Sequence, residues 1–368
     1  MTKATVPPKR VEQVELLLDS PELQALMAGL AATRSTGRPG YPLRALVGMV
    51  LVKTLYALPT WSRTARLVDE HPGLRRALGA APSVYACYRF AEKLRHHAEL
   101  LDGCVGQVLA ALHAERPEMG STVAVDGSDL PAYANGQRYV SKGGPARTRW
   151  SDPDASWGHR SAVSTRSRGG YYGFKLHAAV CTLTGLPVAW TVDTARASEV
   201  PMVPGLLAQA AGRGFGVRHA VLDKGYDAAA VYEACAAGGV LPIVPLRKTP
   251  AVKAGRHHDP ECPHGPRLFD SVATAATRWV CPAGECAELD VNADRLHTLI
   301  PRSTLRWGDL YRQRGAVERE FGRLKHEWAL LPLRTRGLDR VRLHVSFTIL
   351  GQLAVALLAA RAAGRVAA

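Results

Sequence analysis

The spacing of apolar residues changes period at Pro117, and this change constrains the fold more than any other feature of the chain. Over 11–113, segments such as VEQVELLL, LRALVGMVLVKTLYAL and FAEKLRHHAELLDGCVGQVLAALHA place apolar residues every three or four positions. That is the period of helices with one buried face. Breaks at 37–40, Pro59 and 80–83 separate them, and Ser83 is placed to cap the helix that follows. Beyond Pro117 come short β-branched runs, TVAVDGSDL, GYYGFKLHAAVC and PVAWTVDTA, the last two joined by a turn at Thr184-Gly185. Three antiparallel strands are predicted there. A helix in EVPMVPGLLAQAAGRG, a strand in HAVLDKGYD, a helix in AAAVYEACAAGG and a strand in VLPIVPLRK follow. This order predicts an α/β fold, a mixed sheet flanked by helices with right-handed crossovers. Over 249–300 the pattern fades into His, Cys, Pro and Gly, which reads as an insertion. A long helix over 309–330 and an apolar helix over 338–361, expected to pack on the sheet, close the chain. The predicted layout is a helical domain over 1–118, a sheet domain in two parts, 119–248 and 301–368, and the insertion 249–300 between them.

The 47 Lys and Arg against 32 Asp and Glu give a net charge of +15 and favour an extended polyanion, nucleic acid first, as partner. A generally basic proteome explains the charge equally well. No apolar stretch follows the basic residues Lys3, Lys9 and Arg10, so a secretory signal is not expected and the chain is placed in the cytoplasm. The most apolar segment, 345–360, is short for a membrane span and carries Ser346, Thr348 and Gln352, so it reads as a buried helix with no membrane partner. Seven cysteines, an odd number, suit reduced thiols.

Two carboxylates close apolar runs: Asp126 in VAVDGSD and Asp223 in AVLDKGYD. Both fall where strands end at the edge of an open sheet, the usual ligand position. Gly127 beside the first lets the chain turn and a ligand approach. Each alone is more often a turn residue. The sharper pattern is YRQRGAVEREFGRLK. On one continuous helix, Arg314, Glu318 and Lys325 fall about 300°, 340° and 320° around from Tyr311, so all four side chains share an arc of about 60°. Glu320 and Glu327 fall at about 180° and about 160°, on the other side. Glu318 is therefore the third candidate. Arg314 and Lys325 suit phosphate oxygens, and a carboxylate among them suits a cation. A solvated charged stripe is the competing reading.

Tyr311, Arg314, Glu318 and Lys325 match, at every position and spacing, the Y-x2-R-x3-E-x6-K signature of bacterial insertion-sequence DDE transposases, and VDGSD and DKGYD resemble that family's two aspartate motifs. The chain therefore resembles this family over about 121–336. The resemblance implies a ribonuclease H-like core and a DNA-end-binding role for the helical segment. It also implies catalysis by Asp126, Asp223 and Glu318 as ligands of two Mg2+ or Mn2+ ions, with Tyr311, Arg314 and Lys325 on DNA. Three adjoining carboxylates repel one another until divalent cations neutralise them, and hard oxygen ligands suit these ions. In this chemistry, activated water cuts at the element's ends and the freed 3′-hydroxyl joins target DNA by in-line displacement. The implied partners are double-stranded DNA, as inverted-repeat ends and target, and a second copy of the chain on that DNA, near the nucleoid. Two alternatives stay open: a catalytically silent DNA-binding descendant, and a metal-dependent nuclease that cuts without joining.

Secondary candidates surround these. Arg89, Lys93 and Arg95 form a possible basic face on the N-terminal helices. A basic segment over 142–175 holds Arg147, Arg149, Arg160, Arg166 and Arg168, with Trp150 and Trp157 interleaved as base-stacking candidates. Tyr226 is either a stacking surface for an extruded base or a core residue. Cys262, His264, Cys281 and Cys286 supply four potential zinc ligands, but their spacing follows no standard zinc pattern, so zinc is not among the expected cofactors.

Overall fold

A computed structural model describes residues 9–33, 40–134, 136, 151–160 and 169–367. It opens with helices α1 (Arg10–Leu18), α2 (Pro21–Ala32), α3 (Leu43–Leu55), α4 (Trp61–Glu70), α5 (Pro72–Leu78), α6 (Val84–His96) and α7 (Ala98–Glu115). Hydroxyls begin two of them: Thr60 accepts the Arg63 N–H at 3.3 Å and Ser83 the Ala86 N–H at 3.2 Å. These bonds satisfy donors that a helix start leaves open.

The central sheet contains β1 (Thr122–Pro131), β2 (Ser156–Arg160), β3 (Gly169–Cys181), β4 (Pro187–Thr194), β5 (His219–Val221) and β6 (Leu241–Ile243). Across the sheet the order is β4, β3, β1, β5, β6, with β2 pairing the first residues of β3. β3 runs antiparallel to β1 and β4, while β5 and β6 run parallel to β1. Parallel neighbours need crossovers. Helices α8 (Met202–Gly212) and α9 (Ala229–Ala237) supply them. This is the mixed α/β architecture the periodicity predicts, with the β3–β4 turn at Gly185 in left-handed conformation, φ 67°.

Four details differ from expectation. First, β1 does not end at Asp126; it continues to Pro131 because its second half still pairs β3 after β5 has stopped. Second, the insertion is not irregular. After a short helix α10 (Pro250–Lys253) it forms a hairpin, β7 (Glu261–Cys262) and β8 (Gly265–Pro266). A three-stranded antiparallel sheet follows, from β9 (Leu268–Ala273), β10 (Ala276–Val280) and β11 (Leu289–Asn292). Strands this short leave little alternation to read.

Third, the long helix is two: α11 (Leu305–Arg312) and α12 (Gly315–His326). Between them the Arg314 N–H bonds the Tyr311 carbonyl at 3.0 Å and the Ala316 N–H bonds that of Gln313 at 3.0 Å. These three-residue bonds tighten the turn next to Gly315, a weak helix former. Fourth, the closing helix α13 (Leu338–Ala367) packs on β4 but also against α1, α3, α6 and α7. The segment Leu338–Gly364 is long and apolar enough to cross a membrane by composition, and most of its apolar window is buried inside the protein. One continuous core therefore joins Leu30, Leu109 and Phe174 with Val345 and Leu353.

Candidate active site

Asp126 and Asp223 come together through strand register. Ala124 on β1 pairs with Val221 on β5 at the last step of the parallel ladder, and two residues on from each, Asp126 and Asp223 are close enough for their charges to repel. The Asp126 Oδ1 accepts its neighbour Gly127's N–H at 2.8 Å. Asp223 caps a short 3-10 turn, Lys224–Tyr226, by accepting the Gly225 N–H at 2.5 Å. These bonds orient the carboxylates where the sheet opens beyond β5.

The broken helix brings the rest. Arg314, at the start of α12, reaches Asp126 Oδ2 at 3.2 Å with one guanidinium nitrogen and bonds Glu318 Oε1 with the other. Glu318 follows one turn later and is mostly solvent-facing, its side chain 57% exposed. Lys325, near the end of α12, lies 3.4 Å from Asp129 of β1. Tyr311 belongs to α11, stacks on Trp307 at 5.0 Å and packs against the small apolar cluster of Val221, Ile243 and Ile300. The four residues thus belong to two helices rather than one stripe. Three of them nevertheless engage the sheet directly, so the charged face is not simply solvated.

Burial is the largest influence on Asp126, and repulsion from Asp223 and Glu199 adds to it; together they outweigh the Gly127 N–H and Arg314 and push its carboxyl up to about 7. Arg314 is shared between Asp126 and Glu318, while Glu199 has Lys175 as its own partner. Carboxylate oxygens are the donor type of a hard divalent cation, and Asp126, Asp223 beside it and Glu318, joined to it through Arg314, are residues of that type.

Two family models match the chain. Residues 117–351, well over half of it, match the transposase DDE domain, and residues 2–90 match a transposase domain, DUF772. The chain belongs to the transposase DDE domain family. No curated protein matches it. A cryo-EM structure of the piggyBac transposase synaptic complex with hairpin DNA is similar over 96% of this chain and 76% of that one, at 10% identity and a TM-score of 0.42.

Several residues around the candidate site of this transposase-family chain carry no motif. Glu199, in the loop after β4, pairs with Lys175 of β3 at 2.8 Å. A Cβ at Gly127 would lie 3.0 Å from Glu199 Oε1 and 3.3 Å from His177 Nδ1, so glycine allows this close approach within the strand. His177 is buried, and that burial holds its imidazole down at about 4, neutral at ordinary pH. Tyr226 is 1% exposed, so it is a core residue here, with its phenol pushed up by burial and by Asp126, Glu199 and Asp223. In the N-terminal helices, Lys93 donates to the Leu30 carbonyl and Arg95 pairs Glu92, leaving Arg89 over the exposed Tyr85 ring. The side chains of Arg147, Arg149, Trp150, Arg160, Arg166 and Arg168 lie outside the described residues. Trp157, about half exposed, donates to the Gly136 carbonyl at 3.2 Å.

Glu320 stands apart from this group. It is fully buried, paired with Arg323 at 2.5 Å, and burial pushes its carboxyl up to about 7 from the usual 4.5. A carboxyl with a raised folded-state value stabilises the fold below the unfolded value, and that contribution is lost as pH rises from about 4.5 through about 7. Glu320→Gln removes the penalty of burying charge. The variant is expected to match the parent near pH 4.5 and to exceed it at pH 8 by about 1–2 kcal/mol, once loss of the Arg323 pair offsets part of about 1.4 kcal/mol per pH unit. Urea unfolding across that range measures it; equal stability at pH 8 contradicts the assignment.

Proposed function

We propose that this transposase cuts the ends of an insertion sequence and joins the freed 3′-hydroxyls to target DNA by in-line phosphoryl transfer. The observation that carries this reading is that Arg314 bridges Asp126 of β1 and Glu318 of α12 while Asp223 lies close to Asp126. A sheet order of β4, β3, β1, β5, β6 also suits a ribonuclease H-like core. In this reading 1–118 binds element ends, 119–248 and 301–368 form the catalytic domain, and 249–300 is inserted between them.

Asp126, Asp223 and Glu318 would hold two Mg2+ or Mn2+ ions, which supply Lewis acidity toward the attacking and leaving oxygens. The protein's own part is positional. Gly127 and Gly225 N–H groups fix the two aspartates, and the Lys175–Glu199 pair crowds Gly127 from the β3 side. Arg314 is a fork that suits two phosphate oxygens, and Lys325 a point charge for the next phosphate. Tyr311, anchored on Trp307, orients that strand beside Glu318. The DNA is double-stranded, as ends and target, and two copies of the chain act on it in the cytoplasm near the nucleoid.

The test is a joining assay. Labelled element ends, a target plasmid and Mg2+ are expected to give joined product, and excess chelator to give none. Cut but unjoined ends would favour a nuclease, and binding without cutting a silent DNA-binding descendant. Undiminished joining in chelator would remove the metal chemistry.

A further inference from the structure

The insertion holds a cluster that the transposase chemistry does not use. Its first half is the turn of the β7–β8 hairpin, with Cys262 and His264; its second is the loop after β10, with Cys281 and Cys286. The three sulfurs and one His nitrogen all lie within 4.8 Å of one another. Cys262 Sγ is 3.8 Å from Cys281 Sγ, and His264 Nδ1 is 3.5 Å from Cys281 Sγ and 3.3 Å from Cys286 Sγ. A tetrahedral zinc with Zn–S near 2.3 Å and Zn–N near 2.0 Å has ligand edges of about 3.8 Å between sulfurs and about 3.5 Å from sulfur to nitrogen. The observed separations match those edges. A disulfide between Cys262 and Cys281 would need the sulfurs at about 2.05 Å.

We propose that Cys262, His264, Cys281 and Cys286 form a structural zinc site that staples the insertion. Two further observations support it, independently of the DNA chemistry. His264 turns its other ring nitrogen to Glu285, 3.0 Å away, the carboxylate partner that fixes the tautomer of a ligating histidine. Both turns place glycine in left-handed backbone, Gly265 at φ 109° and Gly284 at φ 71°, which brings each pair of ligands back on itself.

The need for a staple follows from size. Among the described residues of 255–294, Thr277, Trp279 and Cys281 are the buried ones, too few for a core. Modules this small use metals or disulfides in its place. Zinc replaces the thiol protons and ties the hairpin to the β10 turn across the intervening sheet, leaving four closed ligand positions and no catalytic opening.

The experiment is metal analysis of the purified full chain, with cobalt exchange as a second readout. One zinc per chain is expected, and cobalt should give the visible bands of a tetrahedral thiolate site. Cys286→Ser and His264→Ala should lose the ion, while His264→Cys, which restores a fourth sulfur, should keep it. Asp126→Asn should keep the full zinc content, separating this site from the carboxylates. Chain without zinc and without the cobalt spectrum, its four ligands intact and its thiols either free or oxidised, would overturn the proposal.

Discussion

Alanine at Asp126, Asp223 or Glu318 is expected to lower strand cleavage and joining at least about 1,000-fold while leaving binding to element ends close to that of the parent, because in the proposed function these carboxylates serve chemistry rather than docking. The structure makes the split specific. Asp126 lies on β1 and Asp223 just beyond the end of β5, and Glu318 is linked to Asp126 from α12 through Arg314. Removing any one carboxylate lowers the negative charge facing incoming phosphates, so end binding should be held or slightly tightened. Ca2+ in place of Mg2+ is expected to allow binding without turnover, since its looser coordination suits docking better than in-line geometry. Glu320→Gln, whose side chain is buried away from the cluster, should cut normally. Cleavage of labelled ends and gel-shift affinity, measured side by side, check the set. An active Glu318→Ala beside an inactive Glu320→Gln would reverse the choice of glutamate.

Loss of Asp227 is expected to be the most damaging single change to stability outside the apolar core. Its side chain is completely buried and accepts two bonds from Arg295, at 2.8 and 2.7 Å, one from the Arg247 N–H at 2.7 Å and one from the Tyr232 hydroxyl at 3.1 Å. Burial alone would raise its carboxyl, but the bonds from Arg295 and Arg247 outweigh it and hold the group below the usual carboxylate range. Around it, Arg302 bonds Tyr232 and the carbonyls of Val244, Leu296 and Arg295. The segment that returns from the insertion is thus moored to the chain just beyond β5. Asp227→Asn breaks the paired bonds and leaves Arg295 uncompensated, at a cost of about 3 kcal/mol. The contribution depends on the ionised form, so it is present above about pH 3.8 and fades as pH falls below that. Chemical denaturation measures the loss, and hydrogen exchange should show 249–300 loosening first. A change below about 1 kcal/mol would mean the network is not cooperative.

Sequence carries some of this site plainly and some not at all. Asp126 and Asp223 are legible because each ends an apolar run that a sheet must bury, and the ladder then brings them close. Arg314 and Glu318 are legible as neighbours because residues four apart on a helix meet whether or not that helix continues upstream. Tyr311 lies across the break at Arg314, on α11, where its ring packs against Val221 of β5 and Ile243 of β6, a placement that helical spacing alone does not give. Glu199 sits in a loop with no period and no motif, and only the closing of β4 against β3 brings it to Gly127. The four zinc-type ligands fit no spacing rule because their geometry is set by the β7–β8 and β10 turns, not by separation along the chain.

The placement of α13 has a consequence for synthesis. Val345, Leu353 and Leu357 complete the apolar contacts of α3 and α7, yet the ribosome makes them after the whole sheet. The nascent N-terminal helices must therefore wait with one face uncovered, in a state prone to association with chaperones or with other chains. A message cut short between Glu318 and Leu338 yields a protein that keeps every proposed catalytic carboxylate but lacks the keystone of its core. Decay of such a gene from its 3′ end would silence the product through folding before any active-site codon was touched.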